Sequence, residues 1–307
     1  MRISLQFAHR FVCIGILGLL IVLLTACGGT GASTNPTSTS NKTPSTGGSK
    51  STSAPSAGKI TEFAIPTPGS DPEGITAGRD GNLWFTEGQG NQIGRITPTG
   101  TITTFPLPTS GSDPLGITAG PDGNRWFTEL AGNRIGRITP TGTITQFPVN
   151  VSYPNWITTG PDGNLWFTSY NTIVRFTPTG TITGFQLRTS NSPAGIIAGP
   201  DGNLWFTESD AQANQIGRIT PTGTITEFAV PTANSAPAGI IAGPDHNLWF
   251  TEALGNLIGR ITPTGTITQF PLFTPSSNPS MIATGPDGNL WFTEPGANKI
   301  GRITPGK

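Results

Sequence analysis

The stretch PDGNLWFTE (286–294) decides the fold, because close copies of it recur along the chain. Its WFT word occurs six times, at intervals of 39 to 44 residues. A second word of the form RITPTGTIT follows each copy and is shortened to RITPGK at the end. A repeat of about 40 residues is typical of four-stranded propeller blades and of helical pairs. The tryptophans that head the WFT words are Trp84, Trp126, Trp166, Trp205, Trp249 and Trp291.

The interior of each unit favours strands over helices. Short runs such as GITAG, NLWFT, QIGRIT and TITTF are rich in Ile, Thr, Trp and Phe, and glycine-containing turn words separate them. Four strands in each of six units predict an all-β, six-bladed β-propeller. KITEF (59–63) resembles the fourth strand of a unit. We therefore expect it to pair with the last blade and close the ring.

The connections divide into two groups. The PDGN and PTGT hairpins are nearly invariant and are predicted to share one face of the disc. The connections between the second and third strands, and between successive units, vary and share the opposite face, which we call the variable face. Variation concentrated on one face indicates where a ligand binds. Relaxed drift is the alternative explanation.

The N-terminal part predicts export and lipid attachment. Arg2 and Arg10 are followed by an apolar run that is shorter than the ~20 residues of a membrane-spanning helix. LTAC (24–27) resembles a lipobox, which predicts a signal peptide over 1–26 and lipidation of Cys27; an ordinary signal peptide is the alternative. Residues 27–58, rich in Gly, Ser, Thr and Pro, are predicted to be a flexible tether. The propeller then spans 59–307, outside the cytoplasm and anchored to the cell envelope.

Composition narrows the class of partner. The 17 basic and 17 acidic residues balance, and charged residues make up 11% of the chain. No basic stripe is present, which argues against nucleic acid. Both cysteines precede residue 28, so the propeller has no disulfide. We expect a monomer that contacts the membrane through its lipid and binds a small molecule or glycan on the variable face.

Three residue types recur once per unit and favour structural roles. The aspartate of the PDGN turn is expected to accept hydrogen bonds within its own turn. The WFT tryptophan is expected to fill the gap between neighbouring blades. The arginine of the RIT word is expected to bond to the next blade.

Five units end the WFT word with a glutamate, and the third unit has Ser169 instead. These carboxylates are predicted to lie on the variable face. They either cap the loop backbone there or hold a hard cation such as Mg²⁺ or Ca²⁺ through oxygen. Glu252 and Glu294 are the candidate metal ligands.

The third unit departs most from the repeat. It carries both tyrosines of the chain, Tyr153 and Tyr170, and the one tryptophan outside the WFT words, Trp156. All three belong to connections of the variable face. An aromatic patch there is suited to stacking on a sugar or a flat ring. Simple loop packing is the alternative.

The words PDGNLWFTE and NQIGRITPTGTITEF resemble the virginiamycin B lyase family, also called streptogramin B lyase, and the likeness recurs in every unit. The resemblance implies a propeller, of seven blades in that family. It also implies a Mg²⁺-dependent elimination that linearises cyclic depsipeptide antibiotics. The family's general base is a His in a P-H-G-I word of the last blade, with a second His one blade earlier. The resemblance thus implies Mg²⁺ as cofactor, whereas the residues alone require none.

The family's histidines are not present at the matching positions. The last-blade word is PSMI, so Ser280 replaces the base, and Ala238 replaces the second His. A last-blade glutamate is retained as Glu294, displaced by one residue relative to the tryptophan. His246, the one histidine of residues 59–307, lies in a PDHN turn of the opposite face.

Three hypotheses follow for function. The first is a tethered propeller that binds a ligand without the lyase reaction, because removing a weakly acidic proton beside a carbonyl needs a base that titrates near neutrality. The second is a divergent Mg²⁺-dependent lyase that uses Glu73, the one carboxylate at its position in the six units, or Glu294 as the catalytic group. The third is a lactonase-like hydrolase with a divalent ion in the central channel.

Overall fold

The computed structural model describes residues 63–188, 193–210, 213–285 and 287–306. They form six antiparallel sheets whose innermost strands contact one another in chain order, which confirms the predicted six-bladed propeller. The predicted signal peptide, Cys27 and the tether lie outside the described residues. Within the described residues, no helix has the length and apolar character needed to cross a bilayer.

Each blade is a meander that runs from the inner strand to the outer strand. Blade 1 comprises β1 (Pro72–Ala77), β2 (Leu83–Glu87), β3 (Gln92–Ile96) and β4 (Ile102–Pro106). Blade 2 comprises β5 (Pro114–Ala119), β6 (Arg125–Glu129), β7 (Arg134–Ile138) and β8 (Ile144–Pro148). Blade 3 comprises β9 (Ile157–Thr159), β10 (Leu165–Ser169), β11 (Thr172–Phe176) and β12 (Ile182–Gln186).

The second half of the disc repeats this plan. Blade 4 comprises β13 (Pro193–Ala198), β14 (Leu204–Glu208), β15 (Gln215–Ile219) and β16 (Ile225–Ala229). Blade 5 comprises β17 (Pro237–Ala242), β18 (Leu248–Glu252), β19 (Leu257–Ile261) and β20 (Ile267–Pro271). Blade 6 comprises β21 (Ile282–Thr284), β22 (Leu290–Glu294) and β23 (Lys299–Ile303), with a 3-10 turn at Pro295–Ala297.

The core lies between the blades, because successive side chains of a strand point to opposite faces of its sheet. Trp205 of blade 4 packs against Leu248 and Phe250 of blade 5, and this arrangement recurs around the disc. Within each of the first five blades, the WFT tryptophan stacks on a phenylalanine of the outer strand at ring-centroid distances of 5.4 to 5.6 Å. The tryptophans therefore have the structural role that the sequence predicted.

A belt of threonine hydroxyls links consecutive blades near the variable face. In blades 1 to 5 the WFT threonine accepts a hydrogen bond from an amide at or just before the inner strand of its own blade, and its hydroxyl donates to a carbonyl of the next blade at 2.6 to 3.0 Å. The five donor and acceptor pairs are Thr86–Leu115, Thr128–Asn155, Thr168–Ala194, Thr207–Ala238 and Thr251–Ser280.

The opposite face is held by the repeated aspartates and arginines. Each turn aspartate accepts hydrogen bonds from the asparagine two residues on and from the indole N–H of its blade tryptophan, as Asp201 does with Asn203 and Trp205. Arg218 donates to the carbonyl of Pro263 in the next blade at 2.9 Å, and Arg95 and Arg175 do the same in their blades. The predicted blade-to-blade bond of the arginine is confirmed at these three positions.

Blade 6 has three strands among the described residues, whereas the other blades have four. The predicted closing strand, 59–63, lies outside the described residues except for Phe63, which is 44% exposed. Trp291 is 39% exposed, while the other blade tryptophans are at most 1% exposed, because no described phenylalanine stacks on it. The pairing of the two chain ends stays a prediction.

Candidate functional site

The glutamates of the WFTE words end the second strand of their blades, at the variable face. Glu87, Glu129, Glu208 and Glu252 are fully buried, and Glu294 is 7% exposed. A buried carboxylate is costly unless hydrogen bonds or a cation compensate it. Their local partners therefore decide between the capping role and the metal role.

In blades 2 and 5 the glutamate is held by a glutamine of the outer strand. Gln146 Nε2 donates to Glu129 Oε2 at 2.8 Å, and Gln269 Nε2 donates to both oxygens of Glu252 at 2.9 and 2.7 Å. The glutamine pairs with a glycine of the third strand, whose missing Cβ leaves room for the ring of the WFT phenylalanine. Burial raises the pKa of Glu129 and of Glu252, although hydrogen bonds, including one from a loop serine, act in the opposite direction. These contacts give the two carboxylates side-chain partners, while capping of the loop backbone stays a prediction.

Blade 1 keeps the glutamate but not the glutamine. Thr104 occupies the glutamine position, and both oxygens of Glu87 are buried without a hydrogen bond of ordinary geometry. Burial raises the pKa of Glu87, and the nearby Thr67 hydroxyl lowers it by less than burial raises it. Glu87 is therefore the least compensated carboxylate of blades 1, 2 and 5.

The two candidate metal ligands lie in different blades. Both carboxylate oxygens of Glu252 accept hydrogen bonds from Gln269, and Glu294 directly precedes the 3-10 turn of blade 6. Within the described ranges, no group of three or more His, Cys, Asp or Glu side chains is placed to hold a metal ion. Metal binding by Glu252 and Glu294 stays a prediction.

The positions that correspond to the family's histidines lie where inner strands begin. Ala238 is the second residue of β17, and Ser280 lies two residues before β21. The carbonyl of Ser280 also accepts the amide of Gly239, where an added Cβ would lie 2.5 Å from the same oxygen. His246 lies beyond the other end of β17, in its hairpin with φ of 58°, so the structure places it on the face opposite Ala238 and Ser280.

The two candidate catalytic glutamates differ in exposure. Glu73 is exposed at the second residue of β1, on the variable face of blade 1. Glu294 is buried at the end of β22 in blade 6. The two candidate carboxylates therefore lie in different blades, one exposed and the other buried.

A cavity of about 550 Å³ opens on the variable face between blades 2 and 3. It lies where blade 3 has lost the glutamate and glutamine of blades 2 and 5, because Ser169 and Gly184 occupy those register positions. Its lining includes Ser152, Ser169 and Tyr170. The sequence signal for this cavity is WFTS in place of WFTE together with ITG in place of ITQ, a pair of changes that sequence analysis did not connect.

The three aromatic residues of the third unit do not form one patch. Tyr170 is 56% exposed and lines the cavity, and Tyr153, 43% exposed, follows Ser152 of the cavity wall. Trp156 packs against the buried cluster of Trp166 and Leu204, between blades 3 and 4. Trp156 therefore lies on the other face of the blade 3 sheet. Ligand binding by these residues stays a prediction, and the geometry favours the tyrosine side.

Comparisons with known proteins agree with this architecture. The chain is similar to the crystal structure of selenomethionine-substituted virginiamycin B lyase from Staphylococcus aureus, with 45% identity and a TM-score of 0.77 over 81% of this chain and 85% of that chain. It is equally similar, with 45% identity and a TM-score of 0.76, to a catalytically inactive histidine-to-alanine variant of the S. aureus enzyme with quinupristin, over the same shares of both chains.

A curated relative and a family model were also matched. The virginiamycin B lyase of Bacillus licheniformis is 49% identical over 39 residues, a stretch that spans 13% of this chain and 13% of that protein. The model of the virginiamycin B lyase family matches residues 45–229 and 152–307. Because these matches cover most of the chain, this protein belongs to the virginiamycin B lyase family.

Proposed function

We propose that this protein is a family member that binds a ligand on its variable face without carrying out the elimination. The observation that carries the proposal is the absence of an imidazole at Ala238 and Ser280, with His246 on the opposite face. A serine hydroxyl or a methyl group does not accept a proton near neutral pH, whereas an imidazole does. The S. aureus variant whose histidine is replaced by alanine is described as catalytically inactive, which supports the same conclusion.

A second candidate is a divergent Mg²⁺-dependent lyase. Glu294 favours it, because this buried carboxylate lies in the same blade as Ser280. A carboxylate placed within hydrogen-bond reach of the substrate proton can act as a general base. Glu73 is the alternative base, and Mg²⁺ would then stabilise the developing negative charge on the substrate carbonyl.

The decisive experiment is incubation of the purified protein with quinupristin and Mg²⁺, followed by mass spectrometry. Linearisation by elimination does not change the mass, so chromatographic separation must accompany the measurement. We expect the cyclic form to persist, while the S. aureus enzyme opens it under the same conditions. The double variant Ala238→His, Ser280→His serves as the matched test, and a gain of product there would show that the imidazoles are what the chain lacks.

Formation of the linear product by the unaltered protein would contradict the proposal. Glu294→Gln and Glu73→Gln would then identify the base, since the variant that lacks it should lose activity. Calorimetric titration with Mg²⁺ and with Ca²⁺ separately tests the second candidate. Saturable heat that disappears in Glu294→Gln would favour the lyase.

We also propose that the propeller is a monomer anchored outside the cytoplasm through lipid on Cys27. The support is the LTAC word and the tether-like composition of residues 27–58. Cys27→Ser should move the protein from the membrane fraction to the soluble fraction. Retention in the membrane fraction would contradict lipid anchoring at this residue.

A further inference from the structure

The cavity between blades 2 and 3 results from two substitutions that act together. In blades 2 and 5 the corresponding space holds a glutamate and glutamine pair joined by hydrogen bonds of 2.7 to 2.9 Å. In blade 3 these positions are Ser169 and Gly184, on neighbouring register positions of the same sheet face. Loss of both long side chains removes the cap and leaves a cavity of about 550 Å³.

The space above Gly184 is open. A Cβ built on this residue would meet one heavy atom within 4 Å, Thr172 Cγ2 at 3.2 Å. Ser169 does not fill the vacated volume, because its hydroxyl donates to the carbonyl of Ser152 at 2.6 Å, on the cavity wall. The volume falls within the range of roughly 300–1,000 Å³ that is usual for small-molecule sites.

The lining offers hydrogen-bonding groups without charge. The Thr172 hydroxyl lies 3.2 Å from Asn171 Oδ1 and 3.5 Å from Gln186 Oε1 and can donate to one of them at a time, and Gln186 Nε2 donates to the carbonyl of Asn171 at 3.1 Å. Each of these side chains keeps further donor or acceptor capacity. The described lining residues include no Asp, Glu, Lys, Arg or His.

The cavity also has an apolar wall. Val151 and Ile182 pack against the core between blades 2 and 3, and both line the cavity. Tyr170 stands in the two-residue turn between β10 and β11 and presents an exposed ring at the opening. An aromatic ring beside neutral polar groups suits a ligand that has an apolar face and several hydroxyls.

We propose that this cavity is a binding site for a neutral, polyhydroxylated ligand such as a sugar, with Tyr170 stacking on the sugar ring. The inference rests on the proposed function, because it assigns the ligand class and the position on the variable face. A hydroxyl both donates and accepts, and so it pairs with the amide and hydroxyl groups of the wall. A charged ligand would lose its hydration with no opposite charge among the lining residues, which is unfavourable.

The test is isothermal titration calorimetry of the full-length protein with neutral and charged sugars of the same skeleton. Glucose, N-acetylglucosamine and maltose are the neutral probes, and glucuronate and glucosamine are the charged ones. We expect saturable binding of at least one neutral probe, with affinity at least about tenfold above that of the charged probes. Absence of binding by every neutral probe, or a preference for a charged one, would overturn the proposal.

Three variants locate the site. Ser169→Glu with Gly184→Gln restores the pair of blades 2 and 5 and should abolish binding. Tyr170→Ala should weaken binding at least about tenfold, and because Tyr170 is exposed this variant should fold normally. Phe273→Ala is the matched control: Phe273 is a fully exposed aromatic in the connection between blades 5 and 6, outside the cavity, so binding should not change. Binding that persists in Tyr170→Ala and in a folded double variant would place the ligand elsewhere and refute the site.

The outcome is independent of the lyase assay. Opening of quinupristin together with sugar binding that depends on Tyr170 would contradict the proposed function and leave this site in place. Persistence of cyclic quinupristin without any sugar binding would contradict the cavity site and leave the absence of the lyase reaction in place.

Discussion

The hydroxyl of Thr251 joins two blades at Ser280, the position where the resemblance to the family implies a catalytic base. It accepts from the amide of Gly239 at 3.0 Å and donates to the carbonyl of Ser280 at 2.6 Å. The backbone of Ser280 is thus held by a neighbouring blade, although its side chain has no imidazole. The backbone at Ser280 is therefore fixed by hydrogen bonds that do not involve its side chain.

Thr251→Val should destabilise the fold by about 2 kcal/mol, because it removes two short hydrogen bonds and leaves the Gly239 amide and the Ser280 carbonyl only their longer bond to each other, of 3.2 Å. Urea denaturation followed by tryptophan fluorescence measures the change. Thr293→Val is the control, since Thr293 accepts from Met281 and donates to no described residue. A smaller loss is expected for it, and equal losses would contradict the role of the blade-to-blade bond.

Arg218→Lys should cost about 1 kcal/mol of unfolding free energy. Arg218 donates to Pro263 and lies over the rings of Trp205 and Phe228, and an ammonium does not reproduce this planar contact. Arg302→Lys is the matched control, because Arg302 is 55% exposed in its side chain and lies over Trp291. Thermal unfolding of both variants measures the difference, and an unchanged Tm in Arg218→Lys would contradict a stabilising role for the blade-to-blade arginine bond.

Arg125→Leu should leave stability unchanged or raise it by about 1 kcal/mol or more. Arg125 is 2% exposed, its Nε has no described partner, and its contact with Asp80 is 3.7 Å long. The other five blades have leucine at this position. Differential scanning calorimetry checks the prediction, and a marked fall in Tm would show that the ion pair outweighs its desolvation cost.

Glu87→Gln should stabilise the protein at neutral pH and lose this advantage in acid. Burial raises the pKa of Glu87, so the folded state holds the proton more tightly than the unfolded chain does. The stability of the unaltered protein therefore falls as pH rises from the unfolded pKa through the raised folded pKa, whereas the glutamine variant has no such dependence at this site.

The difference in stability between the unaltered protein and Glu87→Gln, followed against pH, separates the effect of Glu87 from that of the turn aspartates. Hydrogen bonds from Asn289 and Trp291 lower the pKa of Asp287 to about 2, so its contribution is present above its unfolded pKa and is lost as pH falls. Both proteins share that loss. Denaturation midpoints measured between pH 3 and pH 8 give the comparison, and a gap that does not narrow towards acid would refute the assignment.

The fold was predictable because each unit repeats its strand and turn words almost without change. Trp205, Asp201 and Arg218 follow from local register, since strand alternation fixes which face each side chain occupies. The candidate site was predictable only in part. Tyr170 was identified from its rarity, but its separation from Trp156 depends on the two faces of the blade 3 sheet, which a linear sequence does not display.

The sequence by itself determined the number of blades, the variable face and the absence of an imidazole at Ser280, because these depend on repeated words and on residue identity. Tertiary structure alone decided which carboxylates are buried and which accept hydrogen bonds. Glu129 of β6 contacts Gln146 of β8 only because β7 pairs with both strands and lies between them. It also decided that Ser169 and Gly184 open one cavity. Two residues distant in sequence act together when cross-strand pairing places them on one sheet face, and no local pattern specifies the space that they leave.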